Sequence, residues 1–109
     1  MKSDKTYLGH ILDAIGWIEN YTKTASRAEF LENGMMHDAV IRQIEIIGEA
    51  SNNVSKKLWE QHSEIPWGQI IGMRNRVVHA YFNIDLDVAW DIVQVDLPIL
   101  KSQVQKLLE

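Results

Sequence analysis

Cysteine is absent from this sequence of 109 residues. That excludes a disulfide framework and any thiolate metal site, and a reducing compartment fits best. No apolar run approaches membrane-spanning length, and the first residues, Met1 to Thr6, are polar and lack the apolar segment of a signal peptide. A soluble, cytoplasmic protein is expected. Basic residues are in the minority, 11 against 15 acidic ones for a formal charge of -4. Non-specific binding to long duplex DNA, which draws its affinity from many cation–phosphate contacts, is therefore not expected. One further absence is local: between Ile65 and Ile84 there is no Asp or Glu. A basic, histidine-containing island in an acidic chain points to a small anionic site rather than a broad polyanion-binding face.

Two prolines and six glycines leave long stretches uninterrupted, and the apolar residues in them recur every three and four positions, which reads as all-helical. Leu8, Ile11, Leu12, Ile15 and Ile18 form one stripe of a first helix, capped by Ser3 or Asp4 and ending near Tyr21 to Lys23. Ser26-Arg27-Ala28-Glu29 has capping-box spacing, in which the serine hydroxyl and the glutamate carboxylate each satisfy a free backbone N–H. A short helix with Phe30 and Leu31 follows and stops at Asn33-Gly34. The next helix starts at Met35 and carries Met36, Val40, Ile44, Ile47 and Ser51, widened by Ile41 and Ile46 into two apolar faces, as befits the middle of a bundle. Gly48 and Ala50 allow a neighbour to cross closely. Ser55 is placed to cap another turn or two with Leu58 and Trp59.

Pro66 suits the first position of a helix that should run to about His79 or beyond. Asp85 reads as the N-cap of the last helix, with Asp87 in its first turn. Leu86, Val88, Ala89, Ile92, Val93, Leu97, Leu100, Val104 and Leu107 give that helix its buried side, and Pro98 predicts a kink or break near Asp96 to Leu97. Four principal helices with short connections predict an all-α, four-helix up-and-down bundle with additional short helices, large enough for one core. Trp17, Trp59, Trp67 and Trp90 are many for such a chain, and some are candidates for a subunit interface.

Chemistry is concentrated in Ile71-Gly72-Met73-Arg74-Asn75-Arg76-Val77-Val78-His79-Ala80-Tyr81-Phe82. Metal chemistry has no matching pattern: Glu-x-x-His and His-Glu-x-x-His are absent, and His10 with Asp13 or His37 with Asp38 read as solvated helix neighbours. Glycine-rich phosphate loops and Gly-x-Ser-x-Gly elbows are also missing. Arg74 and His79 remain. Their bland reading is a solvated or salt-bridged arginine and a partly buried helix histidine. On an ideal helix their side chains diverge by roughly 140°, so either the helix loosens before His79 or a second copy of the chain completes the site. The same arithmetic puts Tyr81 within roughly 20° of Arg74's direction, with Asn75 and Arg76 flanking the His79 face.

Arg74-Asn75-x-x-x-His79-x-Tyr81 resembles the signature of the HEPN superfamily, and the longer context resembles its HepT-like toxins. Ala39-Val40-Ile41-Arg42, Ile46-Ile47-Gly48-Glu49-Ala50, Ile65-Pro66-Trp67, Ile70 to Asn75, Val78-His79, Tyr81-Phe82 and Asp96-Leu97-Pro98 stand in that family's order. The resemblance implies one domain over residues 1–109, a dimerising helical bundle, and a metal-independent ribonuclease acting as a toxin without a cofactor. It also implies an MNT-type nucleotidyltransferase antitoxin as partner. By the same resemblance Arg74 and His79 are catalytic, Tyr81 is where AMP is attached, and Asn75 is an orienting residue; Arg76 is a second supporting candidate. The residue chemistry agrees. Metal-free RNA cleavage can use the ribose 2′-OH as nucleophile, with histidine accepting its proton and arginine offsetting charge on the phosphorane. The alternative is a non-catalytic helical module that docks a nucleotidyltransferase or a nucleotide.

Overall fold

A computed structural model of the chain describes residues 3–80 and 83–109. Helix α1 (Asp4–Thr22) begins where the Ser3 hydroxyl accepts from the Thr6 N–H, and it buries Leu8, Ile11, Ile15 and Ile18. In α2 (Arg27–Glu32) the capping box is complete in both directions. Asn33 then ends α2 and caps α3 (Gly34–Asn53) by accepting from the Met36 N–H. Ser55 caps α4 (Lys56–Gln61), and its own N–H and hydroxyl donate to the Asp4 carboxylate at 2.8 and 2.6 Å. One acid thereby ties the start of α1 to the chain leaving α3.

Helix α3 is the central element, packed on α1 along one side and on α5 (Trp67–Ile71) and α6 (Met73–Val77) along another. Val40, Ile44 and Ile47 are fully buried between them, as the two apolar faces of its sequence predict. A continuous helical rod made of α7 (Leu86–Asp91), a π-helical turn over Ile92–Asp96, and α8 (Leu97–Leu107) completes the bundle, with α8 on α1 and α7 on α2 and α6. Asp85 caps α7 through the Val88 N–H. Pro98 has no N–H to donate to the carbonyl four residues back, and its ring crowds that carbonyl. The chain accommodates this by widening the preceding turn, where the Leu97 N–H donates to the Ile92 carbonyl, so the helix is not broken and the disturbance that the sequence predicts near Asp96 to Leu97 takes the form of a π-helical turn. The fold is all-α apart from one small hairpin, and among the described residues no helix is long and apolar enough to cross a membrane.

The hairpin lies where the sequence reading expects helix. Helix does not run unbroken from Pro66 to His79: it is interrupted at Gly72 and ends at Val77. Val78–Ala80 form strand β1, paired antiparallel with β2 (Asn83–Ile84) in the register Val78 to Ile84 and Ala80 to Asn83. Burial alone does not decide this, since Met73, Val77 and Val78 are all buried as they would also be on one helical face; two β-branched valines in sequence favour extended backbone there.

Most of the tryptophans are accounted for within the chain. Trp67 is buried and donates its indole N–H to the His62 carbonyl at 3.1 Å, Trp59 stacks on it, and Trp90 leans on Phe30. Trp17 alone of the four is largely exposed, stacked on Tyr21.

Candidate active site

Arg74 is seated by a close crossing behind it. A Cβ on Gly48 would lie 3.0 Å from the Ile71 carbonyl oxygen, so glycine lets the end of α5 rest directly against α3. Gly72 then turns the chain into α6, and Arg74 and Asn75 emerge exposed beside α3. With Ile71 they line one side of a shallow depression of about 260 Å³, whose other side is Glu45, Glu49 and Asn52 of α3. Those three α3 residues follow helical spacing, a polar stripe that in sequence reads as an ordinary solvated face.

The two arginines have different surroundings. Arg76 reaches away to Asp96 in the π-helical turn, both terminal nitrogens lying 3.4 Å from one carboxylate oxygen. Arg74 forms no ion pair among the described residues. Its guanidinium is the one left available for a phosphate, which suits the fork geometry of arginine.

His79 stands on β1, out of the helical phase of Arg74. It does not line the depression beside α3. Its Nε2 instead lies 3.9 Å from a carboxylate oxygen of Asp85, with both side chains about half exposed. Asp85 is legible in sequence as a helix cap, but its approach to His79 follows from a hairpin that the sequence reading does not contain. Tyr81 lies outside the described residues. A place on Arg74's side would require a helix continuous to residue 81, and the helix ends at Val77. What remains for Tyr81 is its place in the chain, two residues past His79.

Elsewhere, His37 is engaged with the Phe30 carbonyl and packs on the Phe30 ring, and His10 sits edge-on to Tyr7. Among the described residues no group of three or more His, Asp or Glu is arranged to hold a metal ion.

Comparison with known proteins adds the following. The family model described as "Ribonuclease HepT-like" matches residues 11–107. A protein of Thermococcus cleftensis named "Probable ribonuclease HepT" is 42% identical over 97% of this chain and 96% of its own length. A "Putative RNase" of Caldanaerobacter subterraneus subsp. tengcongensis is 35% identical over 100% of this chain and 97% of its own. A Methanocaldococcus jannaschii protein named "Gamma-glutamylcyclotransferase and putative RNase" is 42% identical over 99% of this chain, which spans 49% of that longer protein. No solved structure matches the chain significantly.

Proposed function

Because the chain belongs to the ribonuclease HepT-like family, we propose that it is a metal-independent endoribonuclease whose reaction is carried by Arg74 and His79. The observation that carries this reading is the end of the helix between them. With β1 starting at Val78, the roughly 140° divergence of a regular helix no longer holds the two side chains apart. In the proposed reaction the His79 imidazole accepts the ribose 2′-OH proton, the 2′-oxygen attacks phosphorus, and the P–O5′ bond breaks, the 5′-oxygen taking a proton from water and His79 later returning its own to solvent, to leave a 2′,3′-cyclic phosphate and a 5′-hydroxyl. Arg74 offsets the negative charge gained by the phosphorane oxygens, which is the largest contribution expected of a single fixed donor in such chemistry. Asn75, beside Arg74 on the rim, is a candidate to orient the phosphate. Arg76, held by Asp96, supports the frame rather than the substrate.

The test is cleavage of RNA by the purified protein in excess EDTA. Arg74→Ala and His79→Ala should each reduce kcat by about 10²-fold or more with helicity unchanged. An RNA carrying a 2′-deoxy sugar at the cut site should be inert, because the nucleophile is missing. Full activity of either variant would overturn the assignment and favour a docking module without catalysis.

The toxin role, the nucleotidyltransferase antitoxin and the dimer belong to the same proposal and rest on the family resemblance. In it, the partner transfers AMP from ATP to the Tyr81 hydroxyl with release of pyrophosphate. The attached phosphate adds negative charge and bulk two residues along the chain from His79, which would oppose binding of the RNA phosphate. Co-expression followed by peptide mass spectrometry should find AMP on Tyr81 and none on Tyr81→Phe; adenylylation of Tyr7 or Tyr21 instead would refute this route. For the dimer, exposed Trp17, Val95 and Ile99 are apolar surface that a second copy would cover, and a monomer by light scattering at micromolar concentration would count against it.

A further inference from the structure

We propose that Asp85 is a positioning residue for His79, fixing which imidazole nitrogen carries the proton and which faces RNA. The proposal rests on the reading of His79 as the proton acceptor, but its geometry stands independently. Asp85 is held at three points: its N–H donates to the Val77 carbonyl at 2.7 Å, its own carbonyl accepts from the Ala89 N–H at 3.0 Å, and its Oδ1 accepts from the Val88 N–H at 3.1 Å. With backbone and one carboxylate oxygen so anchored, the other oxygen is directed across the hairpin at His79 Nε2, 3.9 Å away. The neighbouring acid Asp87 is engaged elsewhere, paired with Arg27.

A carboxylate can only accept from a neutral imidazole, so it favours the tautomer with hydrogen on Nε2. That leaves the Nδ1 lone pair as the base, which is the orienting logic of the aspartate in serine-protease triads, with the ring nitrogens exchanged. At 3.9 Å the two atoms are neighbours beyond hydrogen-bond distance, and the ring must turn toward the carboxylate to close the bond. Half exposed, the pair is weak in the free protein and strengthens when bound RNA excludes water.

Capping requires only one side-chain oxygen, and Asn and Ser cap as well as Asp. This separates the two roles of the residue. In Asp85→Asn the amide oxygen keeps the Val88 bond and the amide NH₂ takes the place of the oxygen facing His79. A donor there calls for a lone pair on Nε2 and moves the proton to Nδ1, the nitrogen that should be the base. In Asp85→Ser the cap remains and nothing faces the ring.

The experiment has two readouts on wild type, Asp85→Asn and Asp85→Ser, with circular dichroism to show that helicity is kept. The first is ¹⁵N chemical shifts of the His79 ring nitrogens in histidine-labelled protein at alkaline pH. A larger Nε2–H fraction in wild type than in Asp85→Ser, and a smaller one in Asp85→Asn, supports the proposal; the same tautomer mixture in all three overturns it. The second is RNA cleavage, where Asp85→Asn should lower kcat by about 10- to 100-fold, the range of an outer-shell histidine partner, with KM within about twofold, and Asp85→Ser should lower it less. A kcat for Asp85→Asn within about twofold of wild type means that Asp85 only caps, and overturns the proposal. If wild type cleaves no RNA, the ribonuclease reading fails and the ring shifts alone decide the role of Asp85.

Discussion

Helix α3 and the segment facing it carry similar apolar residues yet are built differently. The former runs unbroken for 20 residues. The latter, from Trp67 to Ile84, is divided into two five-residue helices and a hairpin. An unbroken helix keeps one phase, so residues at its surface stay at fixed angles to one another, and α3 gains thereby a regular core face and a regular polar stripe. The broken segment gives up regular backbone hydrogen bonding and in exchange changes phase between Arg74 and His79. It stays anchored through Trp67, Ile70, Met73, Val77 and Val78, all buried, while the polar residues between them remain exposed. The frame and the candidate site are thus separate in burial even though they touch at Gly48.

The sharpest way to test that separation is to remove core from one region and charge from the other. Ile47→Ala should cost about 2–5 kcal/mol, the range for a fully buried aliphatic truncated with little room to relax, and Arg74→Ala should change stability by no more than about 0.5 kcal/mol, as an exposed substitution does. Urea denaturation followed by circular dichroism measures both. If Arg74→Ala approached the cost of Ile47→Ala, the arginine would be part of the frame and the comparison would fail.

The point of contact gives the next effect. In Gly48→Ala the new methyl meets the Ile71 carbonyl oxygen at 3.0 Å, and backbone, unlike a flexible side chain, yields only by moving the end of α5. A cost of about 1–3 kcal/mol is expected, as for overpacking elsewhere, together with a loss of cleavage, because Arg74 is displaced with the backbone that carries it. Gly72→Ala is the control. There the Cβ would meet only the Gly68 carbonyl at 3.5 Å and φ is -87°, so the change should be neutral or stabilising by up to about 1 kcal/mol. Equal effects at the two glycines would show that the crossing at Gly48 does not seat the site.

The contrast between regions also explains which parts of the molecule were readable in advance. Ser3, Ser26, Ser55 and Asp85 cap helices as their sequence context predicts, because a cap depends on residues three positions apart. The stripes of α1, α3 and α8 are equally local. The break at Gly72 and the hairpin after Val77 were not legible, since the buried positions 67, 70, 73 and 77 continue a helical period into Val78 and no Asn-Gly or Asp-Gly marks a turn. Val77-Val78 and Tyr81-Phe82 did carry a strand preference, but the period outweighed it. Pro98 signalled a disturbance, and its resolution as a π-helical turn could not be read from one residue. Arg74 and His79 were found by motif, whereas the Glu45, Glu49 and Asn52 wall and the approach of Asp85 to His79 exist only after the chain has folded.

The smallest expected effect lies at α2, on the edge of the frame and far from the candidate site in sequence. The Ser26 backbone N–H, and secondarily its hydroxyl, hold the Glu29 carboxyl below its ordinary value of 4.5. A carboxyl lowered on folding contributes stability that is fully present above its unfolded value and is lost as pH falls through the folded one. Glu29→Gln can keep the capping-box hydrogen bond but not the charge at the helix N-terminus. Wild type should therefore melt slightly above Glu29→Gln at pH 7, and the gap should close as pH falls below 4.5. The nearby Arg27–Asp87 pair is present in both proteins and cancels in the difference. Melting curves at pH 7 and pH 3 measure the gap, and a gap unchanged at pH 3 would mean that the amide fails to replace the hydrogen bond, so that geometry rather than charge is what Glu29 contributes.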